Sequence, residues 1–352
     1  MRLARRERRG RTIKQLAAAA AITVALVACN KKSEPSGPAP ELTGLATVPA
    51  NAEMVMVVDV AKVAQSPIVA RAIEQIVAKD SNLAGEWQKV HEGCKIDVAK
   101  QVRYMTIVLG PTPPGKHVGE GPMLLVATGT LPEHDLAECI GRIVGKGNGS
   151  ITGKTVQGRT LYQVKEGARV VYFAFGRPDT VVMSWSDQYV LEALGVGKKA
   201  PEHPELAAWM KLVNRNAPVW LVGRIDDRLK ARLVGITQNQ VKAGAAAFVG
   251  SIDLTRGAKV DAGFIMATPE DAKSLESWTN SYKRVIEAAV QGKALAQTVH
   301  KVAIGSESNI MWLRANLTMD DVNHALSVLD AASAPAQSPT PAAGSASGSA
   351  AP

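Results

Sequence analysis

Short apolar runs alternate with amphipathic segments throughout residues 48–330, and this alternation predicts an α+β fold. Residues 54–58 form an uninterrupted apolar run, which is typical of a buried strand. Ser66 and Pro67 then indicate a helix start, because serine caps the first turn and proline is tolerated at the first helical position. A second helix is predicted from Pro132, since the apolar residues after it recur at spacings of three and four.

The predicted elements occur in the same order twice. In each half a strand is followed by a helix, two strands, a helix and a strand, which is the order of a split β-α-β unit. Residues 218–226 repeat the apolar run and the following aspartate of residues 54–59. We therefore expect two related halves, a first α+β domain over residues 48–197 and a second over residues 198–330.

Residues 1–28 have the pattern of a bacterial signal peptide. Seven basic residues occupy the first fourteen positions, and an uncharged run follows from Leu16 to Ala28. Such a run enters the membrane while the cations stay on the cytoplasmic face. A helix of this length rises about 20 Å, against about 30 Å of hydrocarbon, so the pattern predicts cleavage and not a stable transmembrane span.

The end of this run, Leu26-Val27-Ala28-Cys29, resembles the lipobox of secreted bacterial lipoproteins. The resemblance implies that the Cys29 sulfur receives a diacylglycerol, that residues 1–28 are removed, and that the new amino terminus is acylated. Several acyl chains bury enough methylene groups for durable anchoring. Because Asn30 follows and not an aspartate, the resemblance favours the outer membrane. An ordinary secretory signal with a chance cysteine is the alternative.

Removal of the leader lowers the net charge of the chain. The mature chain carries 34 basic and 31 acidic residues, so the net charge falls from +9 to +3. The high pI therefore belongs to the leader, and no mature segment combines clustered cations with aromatics as a nucleic-acid-binding surface would.

Two segments are too polar or too rich in Pro, Ser and Ala to bury enough apolar surface for folding. We expect residues 29–47, which begin with the lipidated cysteine, to be a Pro-rich tether. Residues 331–352 are expected to be a disordered, solvated tail; a tail that threads peptidoglycan or binds an envelope protein is the alternative.

The lipobox and the Pro-rich tether are accompanied by two short motifs. An early strand ends in Val58-Asp59 before the Ser-Pro helix start, and a Cys-x-Ile-Asp segment lies at residues 94–97. With these features the body resembles secreted and lipid-anchored bacterial proteins of unknown function. The resemblance implies no activity.

Cys94 and Cys139 are the two thiols that remain once Cys29 carries a lipid. An oxidising compartment favours a disulfide between them. The bond would close a loop of 46 residues and contribute on the order of 4 kcal/mol in the chain-entropy model.

The alternative for these cysteines is a metal site. His91 lies three residues before Cys94, and His134 lies on the predicted helix that carries Cys139. While the thiols are reduced, these four side chains provide the ligand types of a tetrahedral zinc site. An oxidising compartment disfavours this alternative.

Asp59 and Asp226 hold matching positions after the first strand of each half. They are candidates for a paired-carboxylate site, but an acid at a strand end is more often a helix cap or a turn residue, and we favour that interpretation. Trp209, Trp220 and Trp312 have apolar neighbours, which predicts core positions.

These observations predict a lipid-anchored cell-envelope protein that faces the periplasm and acts by binding or scaffolding. It is not expected to be an enzyme, to carry a cofactor or to bind nucleic acid. The alternative is a periplasmic metal-dependent or hydrolytic enzyme with its site near Cys94 and Cys139. The binding hypothesis predicts an exposed apolar patch or groove, whereas the enzyme hypothesis predicts a pocket with perturbed carboxylates or imidazoles.

Overall fold

The fold is seen in a computed structural model, which describes residues 44–79, 85, 98–156, 158–177, 179–195, 197–292 and 295–333. The predicted signal peptide, Cys29, His91 and Cys94 lie outside these ranges, as do most of the predicted tether and tail. Within the described ranges, no helix is both long enough and apolar enough to cross a membrane.

Twelve strands account for most of the predicted apolar runs. They are β1 Met54–Asp59, β2 Val102–Leu109, β3 Met123–Gly129, β4 Ser150–Val156, β5 Arg159–Glu166, β6 Arg169–Arg177, β7 Thr180–Ser184, β8 Val219–Arg224, β9 Ala245–Asp253, β10 Ala258–Met266, β11 Val302–Glu307 and β12 Ile310–Leu317.

The α-helices of the described ranges connect these strands or follow them. They are α1 Val60–Ala64, α2 Pro67–Lys79, α3 Val98–Gln101, α4 Glu133–Lys146, α5 Asp187–Leu194, α6 Pro204–Met210, α7 Asp227–Ile236, α8 Pro269–Val290, α9 Leu295–His300 and α10 Met319–Ser333.

All twelve strands belong to one antiparallel sheet, which establishes the predicted α+β class. The order across the sheet is β11-β12-β10-β9-β8-β1-β2-β3-β7-β6-β5-β4. β1 pairs with β8, from Met54 opposite Gly223 to Val58 opposite Val219. The sheet is therefore continuous across the boundary predicted between residues 197 and 198.

The folded body extends beyond its predicted limits at both ends. Gly44–Thr47, assigned to the tether, form a 3-10 helix, and the side chains of Thr47 and Val48 are fully buried. At the other end α10 continues to Ser333, three residues into the predicted tail. At the first limit, burial of Thr47 and Val48 outweighs the flanking composition from which the limit was predicted.

The two edge strands were absent from the prediction. No residue of β4 is buried, and β11 likewise has none, so neither strand shows a strong apolar alternation. Edge strands are often short or polar, because an exposed apolar edge would pair with other chains. The group of strands after α4 therefore has four members, and the group after α8 has two.

The first face of the sheet is covered by α5 and α6. Val55, Val108 and Val222 project from three neighbouring strands on this face and are completely buried. The predicted core positions of Trp209, Trp220 and Trp312 are confirmed, since all three side chains belong to this cluster and are 9% exposed or less.

The second face is covered by two longer helices at separate places. α4 packs Leu136 and Ile140 against β5, β6 and β7. α8 packs Ala272 and Leu275 against Met266 and Met311 of β10 and β12. Along the chain, α4 follows β3 and α8 follows β10, so each helix follows the third strand of its half.

A buried carboxylate fixes α10 to the strands before it. Asp321 accepts hydrogen bonds from Lys301 Nζ at 2.5 Å and from the backbone and hydroxyl of Thr318, both at 2.7 Å. Its own backbone N–H donates back to the Thr318 hydroxyl, which completes a reciprocal cap. The hydrogen bonds from Lys301 and Thr318 lower the pKa of Asp321 to about 2.

We expect the Asp321 contacts to make stability fall at acid pH. The folded-state pKa lies below the ordinary value of about 3.9, so the stabilisation is present above that value and is lost as pH falls towards 2. At neutral pH, Asp321→Asn should lower the free energy of unfolding by about 1–3 kcal/mol. Urea unfolding at a series of pH values measures both effects.

Asp320→Asn is the matched control, because the neighbouring acid is exposed and loses the same charge. It should change stability by no more than about 0.5 kcal/mol. If both variants lose the same free energy of unfolding at neutral pH, the stabilising role of the Asp321 contacts is wrong.

Candidate functional site

The described part of the predicted cysteine site lies on α4. Cys139 is 1% exposed and packs among the apolar residues between this helix and the sheet. It is disulfide-bonded. Cys94 lies outside the described residues, so its pairing with Cys139 stays a prediction.

The proposed metal ligands are not gathered on α4. The His134 side chain is 78% exposed and lies 3.5 Å from Asp135, whereas Cys139 points into the core. No group of three or more His, Cys, Asp or Glu side chains able to hold a metal ion occurs in the described ranges. His91 and Cys94, the other two candidates, lie outside those ranges.

Asp59 and Asp226 are helix caps, as the sequence favoured. Asp59 accepts from the backbone N–H of Lys62 at the start of α1, and Asp226 accepts from that of Leu229 at the start of α7. Asp59 also pairs with Lys62 Nζ at 3.1 Å. Their carboxylates therefore satisfy N–H groups that the first turn of a helix leaves unpaired.

Two polar contacts with shifted pKa values also have structural explanations. Lys199 Nζ donates to the carbonyl oxygens of Glu192 and Ala193 at the end of α5, each at 2.9 Å, and burial lowers its pKa. Tyr162 donates to Glu133 Oε1 at 2.9 Å. Burial, reinforced by Glu133, raises the pKa of Tyr162 to about 12. Each group secures the end of a helix.

The candidate binding surface lies on the second half of α8. Tyr282, Val285 and Ile286 are 57%, 63% and 37% exposed, and we call these three side chains the α8 surface. Residues three and four apart lie on one side of a helix, so their side chains form a continuous apolar area. Exposed apolar areas of this kind mark interaction sites when they are contiguous.

The α8 surface is attached to the core through an aromatic stack. The rings of Trp278 and Tyr282 are 5.6 Å apart and almost parallel. Trp278 packs against the cluster that contains Ala272 and Leu275. The position of the exposed Tyr282 ring is therefore set by residues that hold α8 on the sheet.

A groove of about 730 Å³ lies between the end of α8 and α9. Glu287 lies in its wall, 3.0 Å from His300 Nδ1 and 3.4 Å from Lys283 Nζ. The remaining lining side chains are small or polar; they are Ala288, Gln291, Gly292, Ala296, Gln297 and Lys301. Glu287, Ala288 and Gln291, at the end of α8, lie on the opposite side of the helix from Tyr282, so the groove is separate from the α8 surface.

The sequence predicted α8 but not the α8 surface. Its signal is the continuation of the core-facing row, in which Leu275, Trp278, Tyr282 and Val285 follow at spacings of three, four and three. The row alone did not reveal which of its members the sheet would leave exposed.

Peptide mapping under non-reducing conditions should yield a peptide that links Cys94 to Cys139. Reduction should lower the free energy of unfolding by about 4 kcal/mol, because the unfolded chain regains the freedom of the 46-residue loop. The Cys94→Ser/Cys139→Ser variant should match the reduced protein within about 1 kcal/mol and be insensitive to reductant. A link between Cys29 and Cys139, or a free Cys94 thiol, would contradict the predicted pairing.

No protein-family model matches the chain, and no curated protein matches it. Among solved structures, the chain is similar to the one described as "Structure of crystal form I of TP0453", with 10% sequence identity and a TM-score of 0.44. The match covers 82% of this chain and 96% of that one. At this level of similarity it carries no argument about function.

Proposed function

We propose that the chain is a lipid-anchored protein of the bacterial cell envelope that acts by binding or scaffolding and not by catalysis. The observation that carries the binding role is the α8 surface, with Tyr282 and Val285 each more than half exposed. An exposed apolar area is the feature that the binding hypothesis predicts.

The anchor is proposed from Leu26-Val27-Ala28-Cys29, which resembles a lipobox and joins the leader to the mature chain. Lipidated Cys29 would hold the body at the periplasmic side of a membrane, preferably the outer one. Fourteen residues, 30–43, separate Cys29 from Gly44, the first residue that the structure describes. The predicted Pro-rich tether of this length would reach about 40 Å if it were extended.

The disulfide supports an extracytoplasmic location and counts against the alternative enzyme. Disulfides persist in oxidising compartments and are rare in the cytosol. A sulfur held in the Cys139 disulfide is not available as a thiolate ligand or nucleophile. Among the described residues, no cluster of His, Cys, Asp or Glu side chains favours the metal-dependent alternative.

We also propose that the fold consists of two related halves that meet at the β1–β8 pair. β1, β2, β3 and α4 correspond to β8, β9, β10 and α8 in chain order, in sheet position and in the face that the helix covers. β7 and β12, the last strands of the two groups, both pair with the third strand. Asp59 and Asp226 cap helices after the corresponding first strands.

The relation between the halves can be tested by superposition in an experimental structure. A rotation of roughly 180° about an axis between β1 and β8 should carry one half onto the other, as in a two-fold dimer. The proposal of related halves is wrong if the best superposition pairs strands in a different chain order.

The anchor itself is tested by the intact mass of the mature protein purified from membranes. We expect a polypeptide that begins at Cys29 and carries a diacylglycerol and an additional acyl chain. Cys29→Ser removes the sulfur that receives the lipid, so this mass should disappear. Asn30→Ser is the control, because it changes the neighbouring residue and should leave the mass added by the lipid unchanged. A mature chain without lipid would overturn the anchor and leave the binding surface to be judged separately.

A further inference from the structure

We infer that the open edge of β4 binds an acidic, extended segment of another polypeptide as an additional strand of the sheet. This inference goes beyond the proposed function, because β4 and the strands beneath α8 lie at opposite edges of the sheet. The β4 edge is therefore separate from the α8 surface, and its role does not depend on the anchor.

β4 has an unpaired backbone along its outer side. It is the last strand of the sheet and pairs only with β5, from Ser150 opposite Lys165 to Val156 opposite Arg159. In an antiparallel pair, alternate residues direct their N–H and C=O groups away from the neighbouring strand. No backbone hydrogen bond from another described residue reaches β4 on that outer side. An extended polypeptide satisfies such groups when it is added as a strand.

The β4 edge is accessible, and its conformation is fixed from the inner side. Five of the seven β4 residues are exposed. Ile151 packs in the cluster beneath α4, and Gly153 lies opposite Tyr162, whose ring stacks on Phe173 at 4.7 Å. These contacts hold the strand in its extended form, so little conformational freedom is lost when a partner pairs with it.

The other edge strand, β11, is less open. Only two of its six residues are exposed. Ile304 packs in the cluster beneath α8, and Ser306 donates to Glu276 of that helix. β11 also ends in the exposed acid Glu307, which disfavours an acidic partner at that edge.

Positive charge is concentrated around the β4 edge. Residues 150–170 contain four Lys and Arg residues and one acid, a net charge of +3 that equals the net charge of the whole predicted mature chain. Lys154 and Lys165 are exposed. The acid, Glu166, is half-buried at the end of α4, where its Oε1 lies 3.1 Å from the position that a Cβ atom would take at Gly147. The exposed charge at this edge therefore complements an acidic partner.

Lys154 is the cation nearest to an added strand. Ser150, Thr152 and Lys154 alternate with Ile151, which contacts the second-face cluster, so they lie on the first face. Side chains of neighbouring strands lie about 5 Å apart on one face, and opposite charges there stabilise the pairing. The same cation disfavours β4 of a second copy, because lysine on an edge strand opposes self-pairing.

A peptide of the length of β4, in which glutamate and valine alternate, tests the inference with the mature protein. Its glutamates would lie beside Lys154 and its valines on the side of Ile151. With the peptide in excess, the backbone amides of residues 150–156 should exchange about tenfold more slowly. Lys154→Glu should weaken binding about tenfold in a fluorescence-anisotropy titration, because an opposite-charge pair becomes a like-charge pair.

Two controls separate strand addition from attraction between charges. A peptide with proline in place of valine keeps the charge but lacks N–H groups that strand pairing needs, so it should give no protection of residues 150–156. Lys273→Glu makes the same charge change at an exposed position on α8 and should leave binding of the valine peptide unchanged.

Three results would overturn the inference. They are no protection by the valine peptide, equal binding of the valine and proline peptides, and an equal effect of Lys154→Glu and Lys273→Glu. Protection of residues 150–156 that rises with protein concentration in the absence of peptide indicates a second copy and also overturns it. Unchanged exchange in residues 219–224 shows that a variant retains the fold. Val285→Glu alters the α8 surface and should leave peptide binding unchanged, so the two surfaces are tested separately.

Discussion

β1 and β8 pair over five residues, from Met54 opposite Gly223 to Val58 opposite Val219, and here the two groups of strands meet. Each of these strands would otherwise be an edge with unpaired N–H and C=O groups in the middle of a buried layer, which is unfavourable. Backbone hydrogen bonds extend the junction at both ends, from Asp59 N to the Pro218 carbonyl and from Arg224 N to the Glu53 carbonyl. The junction therefore fixes the two groups of strands relative to each other. α5 and α6 can then cover the first face of both groups.

The same junction is sterically connected to the cluster beneath α8. Gly223 faces Met54, and a Cβ atom at this glycine would lie 2.5 Å from the ring of Phe248 on β9. Phe248 in turn packs against the cluster that includes Leu275 of α8. Since real Cβ atoms do not approach a ring so closely, glycine at 223 permits the close packing of this ring beside the β1–β8 pair. The packing at the centre of the sheet is therefore connected, through Phe248, to the packing of α8 on the sheet.

Local patterns were sufficient for elements whose own residues carry the signal. The apolar run of β1 and the Thr268-Pro269 start of α8 are such cases, and both lie where the sequence predicted. β4 and β11 were missed because they contain no buried residue. The continuous sheet was not predicted either, because pairing between strands 165 residues apart depends on complementary faces and leaves no local periodicity. The α8 surface was missed for a related reason. Whether Tyr282 is buried depends on where the helix extends past the part of the sheet on which it packs.

The N-terminal half of α8 explains how its other half can remain helical. Thr268 caps the first turn, and the buried Asp271 accepts from the backbone N–H groups of Lys242 and Ala243 at 2.6 and 3.1 Å. A helix nucleated in this way can be extended by one hydrogen bond per residue, so residues 281–290 need no burial of their own to continue it. Exposure of Tyr282, Val285 and Ile286 nevertheless leaves apolar area in water, with an unfavourable free energy of about 25 cal/mol for each Å². A rigid helix that carries such an area away from its own core is well suited to present it to an external surface, because little conformational freedom is lost when contact is made.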